Sequence, residues 1–278
     1  MIDKLDKIVA FLGPEASFSS IATTEIFGDS IKRLPLQTIH DVFISVENDE
    51  SDYGVVPIEN STEGSVAATL DELINTNLNI TAEREIRISL NLMSESGELN
   101  KIKKLYSHPH AIGQCREWIS ANIPHVEIIN VTSTTVAASY ASNDKEAAAV
   151  ASAVASSTYH LKIAAENIED IQENYTRFFV MGKTQSIPSG NDKTSIVCSV
   201  KDKPAALLSL LKPFADYAIN MKKIESRPVR KKMWDYNFFI DFLGHRDEEI
   251  VKEALIKMNE EAVFFKILGS YAVGVSNT

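Results

Sequence analysis

Cysteine is scarce: Cys115 and Cys198 are the only two in 278 residues, far apart and without a Cys-x-x-Cys spacing. That excludes a disulfide framework and suits free thiols in a reducing compartment. Positive charge is short as well. The chain carries 28 Lys and Arg against 38 Asp and Glu, a formal charge of -10 at pH 7. Broad contact with nucleic acid or an anionic membrane surface rests on excess Lys and Arg, so neither is an expected partner. A small anionic ligand would need a locally positive pocket. No uninterrupted apolar run reaches the roughly 18 residues of a membrane span, and the N-terminal MIDKLDKIVAFLGPE, with Asp3 and Asp6, does not read as a signal peptide. The expected location is cytoplasmic. Glycine-rich phosphate loops, zinc spacings and nucleophile elbows are missing too, so no cofactor or metal is expected. What the chain does have is 44% apolar residues, enough for a large core and two or three folding units.

Short apolar runs alternate with helical patterns in the first half, which signals α/β units with crossover helices. KIVAFLG reads as a strand. Ser17 then caps a helix from Phe18 to Phe27 that Gly28 closes. RLPLQ is a second strand, Thr38 and Asp41 form a capping pair for IHDVFISVEND, and YGVVPIEN is a third strand leading to the helix GSVAATLDELINT. From 80 to 93 the pattern becomes period-two, with Ile86, Ile88, Leu90 and Leu92 on one face of one long strand. A second α/β set follows, through KLYS, a helix from Pro109 to Ala121, VEIINV, a helix opened by Ser133 or Thr134, and EAAAVA. Two lobes are expected, the second spanning roughly 84–163. The later run QENYTRFFVMG can return to complete the first lobe and lie beside the interlobe cleft, where ligands bind. KTQSIPSGNDK, rich in Pro, Gly, Ser and Asn, reads as a linker between domains 1–185 and 193–278. Beyond it the order is βαββαβ, the ferredoxin-like plan.

Candidate chemistry gathers at strand ends. Thr176 and Arg177 stand at the mouth of the apolar run Phe178-Phe179-Val180-Met181. A hydroxyl and a permanent cation are costly there unless something anionic needs them. VVPIENSTEGSV puts Glu59, Asn60, Ser61 and Thr62 between a strand and a helix, a position that serves either an anion or a simple helix cap. Ser107 and Gln114 occupy a second such turn, and Ser133, Thr134 and Thr135 a third, with local capping the alternative for at least one of them. His108, His110 and Cys115 invite a metal or a Cys-His nucleophile, but no fourth ligand and no base-orienting partner is in view. Together these turns form a hydroxyl- and amide-rich set suited to a small oxyanionic molecule.

The strings FLGPEASFS, YGVVPIENSTEGSV, SHPHAIGQC, NYTRFFVMG, KPAALLSLLKPFA and IESRP occur in an order that resembles the prephenate dehydratases with a C-terminal ACT domain, over nearly the whole chain from Lys7 to Tyr271. The resemblance implies a mixed α/β chain: a bilobal catalytic region like the type II periplasmic-binding proteins, plus a ferredoxin-like ACT regulatory domain. It implies decarboxylative dehydration of prephenate to phenylpyruvate on the way to phenylalanine. L-Phenylalanine is the implied effector and a homodimer or homotetramer the implied assembly. Thr176 maps to the family threonine that assists the departing hydroxyl, and Arg177 holds a carboxylate or the local structure. An aliphatic hydroxyl is too weak an acid to give up its proton outright, so Thr176 is expected to be a placed donor or one link in a relay. Glu59, if buried, is the stronger candidate for the proton's source. Asn60, Ser61, Ser107, Gln114, Ser133 and Thr134 are expected to line the substrate site. Phe178 is a further candidate there, with core packing the heavier reading.

Departures from the family pattern carry their own expectations. Ala16 stands where glycine is usual and tolerates a positive φ poorly, so the backbone there is expected to differ; Ala205 also replaces a glycine, and feedback inhibition is expected to be weakened or shifted. The Ala205 methyl approaches the implied effector site, which takes in Ala206 and Leu207 and also Glu225, Ser226, Arg227 and Pro228. His110 stands where glutamine is common. No chorismate mutase segment precedes Lys7, so a separate protein is expected to perform the preceding step. The rival readings are an arogenate dehydratase and an amino-acid-sensing binding protein without catalysis.

Overall fold

A computed structural model describes residues 6–228 and 236–274. Of the two adjacent strands read from INMKKIESRPV and WDYNFFIDFLG in the last domain, the inner residues Val229, Trp234 and Asp235 lie outside the described residues, as do the outermost residues of both expected domains.

The first lobe runs β1 (Ile8–Leu12), α1 (Phe18–Phe27), β2 (Lys32–Leu36), α2 (Ile39–Glu47), β3 (Tyr53–Asn60), β4 (Gly64–Ser65), α3 (Ala67–Asn75) and β5 (Asn79–Arg87). Its helix starts follow the sequence: Ser17 Oγ accepts from Ser20 N, and Thr38 with Asp41 forms a reciprocal capping box. Ala16 adopts φ 65°, so the left-handed conformation persists without a glycine.

The second lobe comprises β6 (Asn91–Ser94), β7 (Lys104–Ser107), α4 (Pro109–Gln114), α5 (Arg116–Asn122), β8 (Glu127–Asn130), α6 (Thr134–Ala141), β9 (Ala147–Ala151), α7 (Ala153–Thr158) and β10 (Lys162–Ala165). Its sheet order is β10-β6-β9-β7-β8. The single strand expected over 80–93 is instead two, β5 in one sheet and β6 in the other. Alternation continues through the crossing because Ile88 and Leu90 are also buried, while their N–H groups bond to Asn174 O and the Glu169 carboxylate rather than to a ladder.

β11 (Tyr175–Gly182) returns to the first sheet, giving the order β2-β1-β3-β11-β5 with β4 paired to β3. It is antiparallel to both neighbours, which places Thr176 beside Asn60 and Ile86, and Arg177 beside Glu59 and Glu85. Successive residues of a strand face opposite sides. Thr176 and Phe178 therefore share one face and Arg177 and Phe179 the other.

The third unit is β12 (Asp192–Ser199), α8 (Ala206–Asp216), β13 (Met221–Pro228), β14 (Tyr236–Leu243), α9 (Glu249–Glu261) and β15 (Phe264–Ala272), in sheet order β13-β14-β12-β15. One sheet face is covered by α8 and α9. The other lies on the first lobe, where Val197, Phe239, Leu268 and Tyr271 share a core with Val56, Ile58, Leu70 and Phe179. Contact is close: a Cβ at Gly269 would lie 2.2 Å from Ile80 O. Lys266 Nζ donates to the carbonyls of Leu73, Ile74 and Thr76 at the end of α3, where a cation suits the helix dipole.

Ala205, at the start of α8, has φ 63° and ψ 8°. A β-carbon in that region costs roughly 1–2 kcal/mol, part of which glycine's larger unfolded entropy offsets. Ala205→Gly is accordingly expected to stabilise the protein by up to about 1 kcal/mol in urea unfolding; a lower midpoint would show that the methyl packs usefully.

Candidate active site

The last residue of β3 organises the site. Asn60 Oδ1 accepts from Thr62 N at 2.9 Å, Glu63 N at 3.1 Å and Thr62 Oγ1 at 2.7 Å. Two backbone N–H groups on that atom fix the amide's orientation, so Nδ2 is the face it turns to β11. There it donates to Asn174 Oδ1 at 2.7 Å and to Thr176 Oγ1 at 2.9 Å. The Thr176 oxygen is thereby an acceptor, and its own proton is left for a partner in the cleft.

Gln114, at the end of α4 in the second lobe, reaches across. Its Nε2 donates to Thr62 Oγ1 and to Glu63 Oε1, both at 3.3 Å, while Oε1 accepts from Asn174 Nδ2 at 3.2 Å. Polar groups of both lobes thus meet around Thr176. The cleft there has a volume of about 270 Å³, with Asn60, Glu63, His108, His110, Gln114 and Thr176 on its polar wall and Phe18, Ile88 and Leu90 on its apolar wall. Ser133 and Thr134 close the far side. The Ser133 hydroxyl caps α6 by accepting from Val136 N at 3.0 Å, so both the cap and the cleft claim this turn.

Several residues expected at the substrate are placed elsewhere. Arg177 does not face the cleft. It is 9% exposed and points from β11 into the junction with the third unit. Its Nε donates to Glu83 at 2.6 Å, Nη1 to Asp241 at 2.5 Å and Nη2 to the Tyr271 hydroxyl at 3.0 Å. Lys193 Nζ donates to the second Glu83 oxygen at 2.7 Å, and Ser195 Oγ to the second Asp241 oxygen at 2.6 Å. Two cations and two carboxylates balance. Burial alone would weaken the Arg177 cation, but the oxygens of Tyr271, Asp241 and Glu83 outweigh it and hold the guanidinium protonated. Burial, reinforced by Asp241, pushes the Tyr271 hydroxyl far above its usual value, so it stays a neutral phenol. Of the two roles the sequence left open for Arg177, the geometry provides the structural one.

Glu59 shares that outer face. Its carboxylate meets Lys223 Nζ of the third unit at 3.0 Å, where Ser65 and Glu225 also bind the ammonium, and it does not reach the cleft that Thr176 faces. Ser107 is fully buried and donates to Val150 O at 2.8 Å beneath the cleft floor. Ser61 laces strand ends, accepting from Tyr175 N at 3.0 Å. Phe178 is core, packed among Val9, Phe11, Val55 and Ile86. Cys115 lies in the second-lobe core with its thiol pushed well up by burial, and Cys198 is pushed up to about 12 for the same reason. Among the described residues no group of three or more His, Cys, Asp and Glu is arranged to hold a metal.

Glu63, Asn174 and Phe18 were not singled out by sequence. For Asn174 the signal was available: it precedes Thr176 by two, the spacing that puts strand residues on one face.

The expected effector residues divide. Ala206 and Leu207 line a pocket of about 180 Å³ with Val200, Tyr236 and Phe238. Ser226 and Pro228 pair with Phe238 and Tyr236, so they lie on that pocket's side of the sheet. Glu225 and Arg227 lie on the other side. Glu225 bonds to Ser65, and Arg227 Nη2 donates to Asp71 Oδ1 of α3 at 2.7 Å.

The family model described as prephenate dehydratase matches residues 9–186, and that of the ACT domain matches 194–260. The chain belongs to the prephenate dehydratase family. Among relatives, the bifunctional chorismate mutase/prephenate dehydratase of Aquifex aeolicus is 49% identical over 263 residues, covering 95% of this chain and 73% of that protein. Prephenate dehydratase of Methanocaldococcus jannaschii is 38% identical over 277 residues, 97% of this chain and 99% of that one. The crystal structure of prephenate dehydratase from Arthrobacter aurescens in complex with L-Phe superimposes with a TM-score of 0.88 at 32% identity, covering 96% of this chain and 90% of that one. The architecture is that of the family: a periplasmic-binding-protein-like pair of lobes followed by an ACT domain.

Proposed function

We propose that the chain converts prephenate to phenylpyruvate in the interlobe cleft, and that L-phenylalanine binding to the ACT domain feeds back on that reaction. One observation carries the catalytic reading: a threonine hydroxyl on the cleft wall whose oxygen is occupied by the Asn60 amide and whose proton is free. As the ring carboxylate leaves as carbon dioxide, the electron pair of its bond enters the ring. The carbon–oxygen bond opposite breaks and the oxygen carries its pair away. Aromatisation drives the step, so the site needs a donor for the departing oxygen while the substrate carboxylates stay ionised. The Thr176 hydroxyl donates a hydrogen bond to the departing oxygen and keeps its own proton, and the hydroxide that leaves takes its proton from solvent to become water. Gln114 and the start of α6 at Ser133 and Thr134 are assigned to substrate binding. We divide the chain into a catalytic region, 1–185, and a regulatory domain, 193–278.

Feedback is supported by the ACT domain and by the L-Phe complex of the Arthrobacter protein. We assign the effector to the Ala206–Leu207 pocket together with Ser226 and Pro228. Glu225 and Arg227, tied to Ser65 and Asp71, are assigned to transmission. A homodimer or homotetramer fits the edge position of β13 and its exposed Ile224, an edge that a second copy can cover. Buried, unpaired cysteines suit the cytoplasm. No described helix is long and apolar enough to cross a membrane. Incubation with prephenate and with arogenate, following phenylpyruvate and phenylalanine, tests the reading. Prephenate is expected to win, and L-phenylalanine to slow its turnover. No product from prephenate would overturn the assignment.

A further inference from the structure

The cleft has a charge problem. Its substrate under the proposed function carries two carboxylates, yet none of the described lining residues is Lys or Arg, and Glu63 contributes a carboxylate of its own. Two histidines are the possible counter-charges. His108 Nδ1 accepts from His110 N at 3.3 Å, which leaves its ring proton on Nε2. Burial, and next the neighbouring His110, push the His108 imidazole below its usual value, so it serves as a neutral group. His110 differs: it is exposed to the cleft mouth, its Nδ1 is 2.9 Å from Glu63 Oε2, and its ring centroid is 5.0 Å from that of His108. Glu63 is in turn held by Gln114 at 3.3 Å. The remaining walls, from Ile88 and Leu90 to Thr132–Thr134 and Thr176, carry no titratable carboxylate, imidazole or amine.

Resting on the dehydratase reading, we propose that the His110–Glu63 pair is the specificity element of the cleft: the His110 imidazolium cancels the Glu63 charge and so admits the dianionic keto acid in preference to its amino analogue. With His110 protonated the pair is neutral and a substrate carboxylate meets a cation. With His110 neutral, Glu63 stands alone, repels the keto acid and attracts the ammonium of arogenate.

The test is kcat and KM for prephenate and arogenate from about pH 5.5 to 8.5 in the wild type, His110→Gln and the double variant Glu63→Gln/His110→Gln. In the wild type, KM for prephenate is expected to rise roughly tenfold across that range, with kcat changing far less, while arogenate gains relative to prephenate. His110→Gln is expected to give the high KM at every pH, and the double variant to restore a low, pH-independent KM, which a misfolded cleft would not do. A wild-type KM for prephenate that is flat with pH, or a pH-dependent KM retained in His110→Gln, overturns the proposal. Absence of any prephenate turnover by the wild type would fail the dehydratase reading instead.

Discussion

Thr176→Ala is expected to lower kcat by about a hundredfold or more, with KM little changed. That corresponds to about 2.7 kcal/mol of transition-state stabilisation, the scale of a single well-placed donor to developing charge. The expectation follows from the Asn60 contact. An amide N–H fills the threonine oxygen's acceptor role, so the hydroxyl proton turns to the cleft, and alanine removes that hydroxyl together with the γ-methyl. Thr176→Ser keeps the hydroxyl and should retain most of the rate. Steady-state kinetics on both variants check this; a near-normal kcat in Thr176→Ala removes the residue from the mechanism.

Asp241→Ala, in a different domain from the cleft, is expected to cost roughly 3–5 kcal/mol of stability. Asp241 takes one arm of the buried Arg177 guanidinium and also the Ser195 hydroxyl. Its loss leaves a cation out of water beside one remaining carboxylate that Lys193 already shares. Because Arg177 follows Thr176 directly and Asp241 belongs to the ACT sheet, the cluster fastens the catalytic strand to the regulatory domain. Urea unfolding read by activity and by far-ultraviolet circular dichroism should move together. A loss of under about 1 kcal/mol would mean that water or another group replaces the carboxylate.

Much of this architecture is legible in the residues. Ser17, Thr38 and Ser133 mark helix starts that the structure keeps. The apolar run after Tyr175 marks a strand, and its return to the first sheet follows from its position after the second lobe. The choice between the two roles left open for Arg177 was itself present in the sequence: adjacent strand residues face opposite sides, so Thr176 and Arg177 do not share one cavity. The same alternation separates Glu59 from Asn60. What the sequence does not carry is the identity of distant partners. Glu83 and Asp241 lie 94 and 64 residues from Arg177; the pairing of β5 with β11 brings the first to it, and the docking of the ACT sheet the second. Lys223 reaches Glu59 by the same docking. Ser107 illustrates another limit, since a hydroxyl at a strand end can turn to its own sheet, as it does toward Val150. The crossing at Ile88–Leu90 was hidden because its side chains keep period-two burial while the backbone leaves one sheet for the other.

A crystal structure of Thr176→Ala with prephenate bound is the most direct test of the account. The ring hydroxyl of the substrate is predicted within about 3.2 Å of the position that the Thr176 oxygen occupies in the wild type, between Asn60 and the start of α6. Prephenate bound with that hydroxyl turned away, or bound outside the interlobe cleft, would contradict it.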